Sequence, residues 1–552
     1  MTNSTLPGGM LIARALKAEG VDVLFTLPGS HIAPVLDASP QVGIQVVMSR
    51  HEESAVLMAE GWALATGSPG VAAVTAGPGL ANALPGLAEA NAAGAPVVVI
   101  AGRTAIGKRD RGAVQDLDQL SAVAAVTKWR ATCLSVERLQ EYVAEAFRQA
   151  SWGAPGVAYL EVPEDVLAAS SAAEAGDGAG SRLPAVRPVP EPSGITRALE
   201  QLGQSERPLV VAGSGAFFSH AGKSLLRFAE RSGVPVTTTS AARGLLDDSH
   251  PLCLGSLVHG GAALVSADLA LVLGSRFNAN LMYGRPPLFP DDMSIIQVDI
   301  QPEHLGGGRR PELALVGDVG GTLDALSGAW NMGTGRLEGW QQQTRDLVTA
   351  SRGMWETESE VPTQWLHPGW LAREASHQME NLGGGTWVSD GGDSVIWGIA
   401  FSKAHQPGDN MLIGSAMGTL GVGLPFAIGA GLANPRRPLL LFTGDGAFGF
   451  SAMELHTAVN QHLGMVVVVV NNGVWRGPGT VPDKAGHDFD YAALARAAGA
   501  VGARAESPEE YRSALGAALV VARDGRPSLV DARADPAVVS NLLRGLDDMG
   551  LM

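Results

Sequence analysis

Short apolar runs rich in β-branched residues alternate along the chain with longer stretches rich in Ala and Leu. Continuous apolar runs of this length are typical of strands buried on both faces, and the longer stretches can supply crossover helices. The alternation predicts an α/β fold of doubly wound parallel sheets. The predicted strands are Val71–Thr75, Val97–Ala101, Leu209–Ala212, Leu269–Gly274, Ile295–Ile300, Leu439–Phe442 and Met465–Val470.

Two stretches interrupt this alternation and suggest domain boundaries. Residues 168–193 are rich in Ala, Gly, Ser and Pro and predict a linker. Residues 331–362 are polar and predict a helix-containing connector. Because a chain of 552 residues is too long for one core, we expect three consecutive domains of this fold class, over residues 1–167, 194–330 and 363–552.

Composition argues against several classes of partner. The formal net charge is −16, and no basic stretch is typical of a nucleic-acid-binding surface. No segment approaches the ~20 apolar residues that a membrane span requires, and the N-terminus lacks the features of a signal peptide. Cys133 and Cys253 lie too far apart in sequence to suggest a ligand pair, so we expect buried thiols in a reducing compartment. The sequence thus predicts a cytoplasmic protein with neither nucleic acid nor membrane as a partner.

Two motifs predict a site for a metal and a diphosphate. Gly444–Gly446 follows one predicted strand, and Asn471–Asn472 ends the next, so both should lie at the same strand edge. Mg²⁺ prefers hard oxygen ligands. Asp445 offers a carboxylate, Asn472 an amide oxygen and Val474 a backbone carbonyl, while the glycines allow phosphates to approach the backbone. Either motif alone is more often a simple turn or cap, but their combination favours the binding site.

These two motifs resemble the signature of thiamine diphosphate enzymes, and the spacing from Asp445 to Asn472 fits that family. Upstream, residues 49–63 resemble the helix start that carries the glutamate needed to activate the cofactor, and the resemblance implies Glu52 in that role. Residues 70–82 match the family as well. Without the resemblance, a glutamate here would be a partner for the helix dipole, and Glu53 and Glu60 would be solvated surface charges.

The resemblance covers essentially the whole chain and is to the acetolactate synthase-like branch. It implies a pyrimidine-binding, a central and a diphosphate-binding domain, in that order. It also implies a site formed between the first domain of one subunit and the last domain of another, in a homodimer or homotetramer. Leu420 matches an apolar residue that acts as a wedge and holds the cofactor in a bent shape. From the residue type alone, core packing is the simpler interpretation. The other implied cofactor contacts are Gly392, Ser394, Gly418, Gly446 and Ala447.

The substrate side is marked by two short loops. Pro28–Ser30 is similar to a loop of benzoylformate decarboxylase, so Ser30 is expected to hydrogen-bond a substrate carboxylate or carbonyl. His31 is expected to assist proton transfer. A turn serine and a surface histidine are the alternatives. Gln115 matches a family position near the cofactor, with Val114 where relatives have Phe. Trp475, Arg476 and the loop to Asp488 are expected to line the entrance.

The central domain resembles 2-hydroxyacyl-CoA lyases and oxalyl-CoA decarboxylases in residues 273–278, 283–287 and 296–300. In those relatives this domain binds an adenine nucleotide, and in acetolactate synthases it binds FAD. Arg276 and Asp299 are the positions expected to contact such a ligand, with a salt bridge or a strand-end cap as the alternative. Asn278–Asn280 replaces a family Asp-Asp-Arg, which counts against tight FAD binding. Ile399 replaces an arginine of the lyases and the tail after Asp535–Pro536 is short, and both count against the acyl-CoA interpretation. FAD, ADP and an empty central domain all stay open.

The resemblance predicts an enzyme dependent on thiamine diphosphate and Mg²⁺ that makes or breaks a carbon–carbon bond next to a carbonyl. The first expectation is acetolactate synthase-type decarboxylation and carboligation of pyruvate or a similar 2-oxo acid. A 2-hydroxyacyl-CoA lyase or oxalyl-CoA decarboxylase acting on an acyl-CoA is the alternative, followed by a simple decarboxylase of the benzoylformate type. A catalytically silent member is a further hypothesis, and the presence of Glu52, Asp445 and Asn472 counts against it.

Overall fold

A computed structural model describes residues 5–171, 186–411, 417–475 and 489–548. The chain forms two compact units. The first unit comprises Met1–Val186, Met417–Ala433 and Ser451–Gln461. The second unit comprises Arg187–Ala416, Asn434–Phe450 and His462–Met552.

The first third of the chain forms a six-stranded parallel sheet in the order β3-β2-β4-β5-β7-β6, and β1 pairs with β8 antiparallel. Its strands are β1 Leu6–Pro7, β2 Val23–Thr26, β3 Gln45–Met48, β4 Gly70–Val74, β5 Val97–Arg103, β6 Trp129–Thr132, β7 Val157–Pro163 and β8 Ser170–Ser171. Its helices are α1 Gly8–Ala18, α2 Ala33–Ala38, α3 Glu52–Thr66, α4 Pro78–Ala93, α5 Gln119–Ala122, α6 Leu139–Ser151 and α7 Glu164–Ala168.

The central third forms a second parallel sheet, in the order β11-β10-β9-β12-β13-β14. This order is typical of doubly wound sheets. Its strands are β9 Pro208–Ala212, β10 Val236–Thr238, β11 Cys253–Ser256, β12 Leu269–Leu273, β13 Ser294–Asp299 and β14 Leu313–Val316. Its helices are α8 Pro192–Gln204, α9 Ser214–Phe218, α10 Gly222–Ser232, α11 Leu257–Ser266 and α12 Val319–Ala329, and α13 Glu338–Ser359 follows.

The last third forms a third parallel sheet, in the order β16-β15-β17-β18-β20-β19, which matches the strand order of the first sheet. Its strands are β15 Thr386–Asp390, β16 Asn410–Met411, β17 Leu439–Gly444, β18 Val466–Asn471, β19 Val501–Ala505 and β20 Ser528–Arg533. Its helices are α14 Pro368–Glu380, α15 Asp393–Phe401, α16 Gly423–Ala433, α17 Asp445–Ser451, α18 Glu454–Asn460, α19 Tyr491–Ala497, α20 Pro508–Arg523 and α21 Asn541–Asp548.

All seven predicted strands are present, and the α/β fold of parallel sheets is confirmed. Strands β4, β5, β7, β9, β12 and β18 are buried along their whole length, as expected for strands covered by helices on both faces. The predicted connector contains α13, and the predicted linker overlaps β8 and the start of α8, with residues 172–185 outside the described part. In the described ranges, no helix combines the length and apolar character needed to cross a membrane.

Helix α16 packs against α3 within the first unit, although the two helices are far apart in sequence. Glycines allow their backbones to meet. A Cβ on Gly61 would lie 2.5 Å from the Phe426 carbonyl oxygen, and a Cβ on Gly429 would lie 2.0 Å from the Met58 carbonyl oxygen. Because these distances exclude a side chain, glycine is required at both positions for this packing.

Candidate active site

Glu52 lies in a buried position at the start of α3. His51 caps the helix, since its Nδ1 accepts a hydrogen bond from the Glu53 backbone N–H at 3.3 Å. Glu52 is only 6% exposed, and its Oε2 accepts a hydrogen bond from Asn82 Nδ2 at 3.0 Å. A Cβ on Gly79 would lie 3.4 Å from Glu52 Oε1. The first turns of α4 therefore hold this carboxylate from one side.

The loop after β2 places Ser30 and His31 differently. Ser30 is exposed, whereas His31 is only 6% exposed, so the surface-histidine alternative is wrong. His31 is covered by β5, because a Cβ on Gly102 would lie 2.4 Å from the His31 carbonyl oxygen. His31 Nδ1 lies 3.3 Å from Ser30 Oγ, and its Nε2 lies 3.8 Å from Glu164 Oε2. The two side chains form a hydrogen-bonded pair with Ser30 on the solvent side.

Thr75 brings the predicted residues of the first unit into one neighbourhood. Its Oγ1 donates to Gln115 Oε1 at 3.4 Å. A Cβ on Gly29, next to Ser30, would lie 2.4 Å from Thr75 Cβ, and one on Gly79 would lie 2.6 Å from Thr75 Cγ2. Gln115 adopts a positive φ of 64°, a conformation that non-glycine residues rarely take. Glu52, Gln115 and the Ser30 loop thus meet at the carboxyl ends of β2 and β4.

Glu60 contradicts the expectation of a solvated surface charge. It is fully buried on α3, and Glu89 on α4 is fully buried as well. None of their four carboxylate oxygens has a hydrogen-bond partner among the described residues. Burial raises the pKa of Glu60 well above its usual value, and the nearby charge of Glu89 raises it further. The helix periodicity could not show this burial, because α3 is covered along nearly its whole length.

We expect Glu60→Gln to stabilise the cofactor-free protein at alkaline pH. The raised folded pKa means that the stabilising contribution is full below the unfolded pKa of about 4.5 and is lost as pH rises through the folded pKa. At pH 9 the variant should therefore unfold ~3–6 °C higher than the wild type for each unit of pKa shift. Thermal unfolding followed by circular dichroism at pH 5 and pH 9 measures this, with exposed Glu200→Gln as control. Equal midpoints at pH 9 would contradict the expectation.

In the second unit, Asp445 and the Asn-Asn turn lie side by side. Strands β17 and β18 are parallel neighbours with Gly444 opposite Val470, so the turns that follow them share one sheet edge. Asp445 Oδ2 accepts a hydrogen bond from the Gly473 N–H at 2.7 Å, and its Oδ1 accepts one from the Gly446 N–H at 2.8 Å. Burial raises the pKa of Asp445, and these N–H groups oppose the rise. The carboxylate itself joins the two turns.

The two asparagines have different surroundings. Asn471 is buried, and its Nδ2 donates to Asp531 Oδ1 at 2.9 Å and to the Phe489 carbonyl at 3.2 Å. Asn472 is half-buried, and its Oδ1 accepts a hydrogen bond from the Val474 N–H at 3.1 Å. An amide oxygen has two lone pairs, so Asn472 retains one acceptor site. Asn471 therefore anchors the turn, and Asn472 is the one with capacity for a ligand.

A second turn at this edge has space beside its backbone. Gly391 has a φ of 99° and packs tightly, because a Cβ there would lie 2.8 Å from Ser394 Oγ and 3.1 Å from the Gly444 nitrogen. Gly392 precedes α15, and a Cβ at Gly392 would meet no atom within 4 Å. The open space at the start of this helix suits an anion. Ser394 and Ala447 are buried against the same turn.

The donor set fits a hard divalent cation and a diphosphate. Asp445 provides a carboxylate with two acceptor sites left after its two backbone hydrogen bonds, and Asn472 provides an amide oxygen. Across the described ranges, no group of three or more His, Cys, Asp or Glu side chains is arranged to hold a metal. A cation at Asp445 would therefore also need amide, backbone, water or phosphate oxygens, as Mg²⁺ commonly does.

Aromatic side chains flank the Asp445 turn. Trp475 lies over Gly446, since a Cβ there would be 2.8 Å from Trp475 Cη2, and Trp475 meets Phe450 edge to face at 6.1 Å. Tyr491 Oη donates to the Asp445 carbonyl at 3.3 Å, and burial raises the Tyr491 pKa to about 12. No motif in the sequence indicated a role for Tyr491. The rest of the predicted entrance, residues 476–488, lies outside the described residues.

Gly418 and Leu420 belong to the first unit, before α16. Gly418 is exposed with a φ of 66°, and Leu420 is half-buried, so Leu420 is not a fully packed core residue. Residues 412–416, directly before them, are not among the described residues. The wedge role of Leu420 and the cofactor contact of Gly418 remain predictions.

Arg276 and Asp299 lie at the carboxyl edge of the central sheet, where doubly wound folds bind ligands. Asp299 Oδ1 accepts a hydrogen bond from the Gln301 N–H at 2.9 Å and lies 3.2 Å from His304 Nδ1. The turn after β9 is held against the end of β12, since the Gly213 N–H donates to the Leu273 carbonyl and the Gly215 N–H donates to the Gly274 carbonyl. Those N–H groups are therefore already paired within the protein. This favours a turn that stabilises the fold over one that binds a nucleotide.

Comparison with known proteins identifies consecutive matches along the chain. Residues 7–122 match "Thiamine pyrophosphate enzyme, N-terminal TPP binding domain". Residues 195–326 match the central domain of the same family, and residues 390–532 match its C-terminal TPP binding domain. Each matched range falls in the part of the chain that forms one of the three parallel sheets, and the first range ends before β6 and β7.

Similar curated proteins include acetolactate synthases and 2-hydroxyacyl-CoA lyases. A "Probable acetolactate synthase" of Mycobacterium bovis is 34% identical over 97% of this chain and 97% of its own length. An acetolactate synthase isozyme 2 large subunit of Escherichia coli is 31% identical over 84% of this chain and 83% of its own. A 2-hydroxyacyl-CoA lyase of Oryza sativa subsp. japonica is 30% identical over 96% of this chain and 95% of its own.

Proposed function

Because the chain belongs to the thiamine pyrophosphate enzyme family and is a thiamine diphosphate-dependent enzyme, we propose that it decarboxylates pyruvate or a similar 2-oxo acid and joins the remaining fragment to a second carbonyl compound. The similarity over nearly the whole chain to a probable acetolactate synthase supports this reaction. The main structural support for the cofactor site is the hydrogen bond from the Gly473 N–H to Asp445 Oδ2, which joins the two turns of the diphosphate and metal motif.

The residues of the second unit would hold the cofactor. Asp445, Asn472 and the Val474 carbonyl are the proposed Mg²⁺ ligands, and Gly392, Ser394, Gly446 and Ala447 would line the diphosphate. Thiamine diphosphate supplies, when bound, the nucleophile and electron sink for bond cleavage next to a carbonyl. Tyr491 and Asn471 keep the two turns in register through their contacts with Asp445 and Asp531.

The residues of the first unit would handle protons and substrate. Glu52 is the proposed catalytic acid or base, with its Oε2 held by Asn82 and its Oε1 facing Gly79. Ser30, with His31 behind it, would hydrogen-bond the substrate, and Gln115 would contact the cofactor or substrate from the opposite loop. Gly418 and Leu420 would support the cofactor.

We propose a homodimer or homotetramer in the cytoplasm, in which Glu52 of one copy acts on cofactor held by Asp445 of another. Arg276 and Asp299 are the positions that would contact FAD or ADP if the central domain holds either. A 2-hydroxyacyl-CoA lyase is the second candidate function, favoured by the full-length similarity to the rice lyase. In that reaction the substrate would be an acyl-CoA rather than a free 2-oxo acid.

Product identification tests the proposed reaction. Purified protein with thiamine diphosphate, Mg²⁺ and ¹³C-pyruvate should yield acetolactate or acetoin by NMR, and a sample without thiamine diphosphate should yield neither. Acetaldehyde as the sole product would contradict carboligation and indicate a simple decarboxylase. Unchanged pyruvate together with cleavage of a 2-hydroxyacyl-CoA would favour the lyase.

A further inference from the structure

A fully buried glutamine, Gln119, connects three strand ends of the first unit. It begins α5, and its Nε2 lies 3.1 Å from the Gly102 carbonyl, 3.0 Å from Tyr159 Oη and 3.1 Å from Glu161 Oε2. Its Oε1 accepts a hydrogen bond from the Gly77 N–H at 2.9 Å. The side chain therefore ties the ends of β5 and β7 to the turn after β4.

Glu161, one of the partners of Gln119, is itself held in place. Glu161 is fully buried in β7, where Arg103 forms an ion pair with it and Thr132 Oγ1 donates to its Oε1 at 2.6 Å. Buried polar groups must be paired, and a fully paired network is rigid. Gln119 is consequently held by the sheet on one side and can hold the Gly77 turn on the other.

The Gly77 turn leads directly to Glu52. Gly77 has a φ of 59° and is the N-cap of α4, and a Cβ there would lie 2.8 Å from the Gln115 carbonyl oxygen. It is thus clamped between the Gln119 side chain and the Gln115 backbone. The first turns of α4 carry Gly79, where an added Cβ would meet Glu52 Oε1, and Asn82, which donates to Glu52 Oε2.

We infer that Gln119 is a positioning residue for Glu52, acting through the Gly77 N–H and the start of α4. This inference rests on the proposed role of Glu52 in cofactor activation. An apolar side chain of the same size would fill the space but would leave the Gly77 N–H and the Glu161 carboxylate without this partner. The turn would then loosen, and Asn82 would no longer fix Glu52 in one position.

Hydrogen exchange in the cofactor-free protein tests the positioning itself. Gln119→Met should raise the exchange rate of the Gly77 amide by about tenfold or more, because its acceptor is removed. Gln341→Met is the control: Gln341 donates to the Gly233 carbonyl at 2.8 Å in the second unit, and its loss should leave the Gly77 amide unchanged. Unchanged exchange at Gly77 in Gln119→Met would overturn the inference.

Kinetics separate positioning from general structural damage. Gln119→Met should lower kcat for 2-oxo acid turnover by about 10- to 100-fold and leave KM nearly unchanged. Gln119→Glu keeps an acceptor for the Gly77 N–H, but it places a carboxylate oxygen against Glu161 and the Gly102 carbonyl, so repulsion should displace the side chain and lower kcat as well. Combining it with Glu161→Gln restores one amide facing one carboxylate, although the Gly102 carbonyl still faces a carboxylate oxygen, and should recover part of kcat. Wild-type kcat in both single variants, or no recovery in the folded double variant, would overturn the inference.

The same experiments distinguish a failure of the proposed function from a failure of the positioning role of Gln119. A wild-type protein without any thiamine diphosphate-dependent turnover would contradict the proposed function, yet the exchange of the Gly77 amide would still decide whether Gln119 fixes the turn. If Gln119→Met does not fold, Gln119→Glu and its combination with Glu161→Gln provide the same comparison.

Discussion

Glu52→Gln is expected to lower turnover by about 10²–10⁴-fold while thiamine diphosphate still binds. Glutamine has the same shape and can keep an oxygen toward Asn82, whose Nδ2 lies 3.0 Å from the native carboxylate. It cannot exchange a proton with the cofactor or the substrate. Steady-state turnover of pyruvate measures the loss, and a calorimetric titration of thiamine diphosphate shows whether binding is retained.

Glu53→Gln is the matched control for this substitution. Glu53 is the next residue of α3, but its carboxylate lies 3.9 Å from His51 Nδ1 and is partly solvent-exposed. Its replacement should leave turnover within about twofold of the wild type. Wild-type turnover in Glu52→Gln with normal cofactor binding would show that another group activates the cofactor.

Asp445→Ala is expected to weaken Mg²⁺-dependent binding of thiamine diphosphate by about 100-fold or more. The substitution removes the proposed charged ligand, and it also removes the acceptor of the Gly446 and Gly473 N–H groups, so the two turns are no longer joined. Calorimetric titration of thiamine diphosphate with Mg²⁺, and again with EDTA, measures the effect. In EDTA the wild type and the variant should bind equally weakly.

Asp324→Ala provides the control for Asp445→Ala. Asp324 is an exposed aspartate of the second unit that pairs with Arg227, and its loss removes one negative charge without touching the turns. Its Mg²⁺-dependent affinity should equal that of the wild type. An Asp445→Ala variant with the same affinity would exclude Asp445 as the metal ligand.

The seven strands predicted from the sequence are mainly apolar runs, and several of the strands that were not predicted contain polar or charged residues. Strand β7 is fully buried yet contains Tyr159 and Glu161. A charged residue argues against a buried strand until its partner is known, and that partner, Arg103, is 58 positions away. The packing of α16 on α3 was equally invisible, because it depends on the backbone contacts that Gly61 and Gly429 permit.

For the site, the sequence predicted the neighbours that strand order determines. Asp445 and Asn472 follow adjacent parallel strands, so their proximity follows from the fold. The distinction between Asn471 and Asn472 does not follow from the fold, because it depends on Asp531 within a third strand, β20. Asn82 and Gln119 were missed for a similar reason. Their importance lies in the distances to Glu52 and Gly77, and no motif records those distances.

A complementation experiment between Glu52→Gln and Asp445→Ala tests most directly whether the active site is shared between two copies of the chain. If Glu52 of one copy and Asp445 of another serve the same cofactor, a dimer of these two inactive variants contains one site in which both residues are native. We therefore expect doubly tagged hetero-oligomers, isolated by sequential affinity steps, to regain thiamine diphosphate-dependent pyruvate turnover. Inactive hetero-oligomers, or a failure of the two copies to associate, would contradict the shared site.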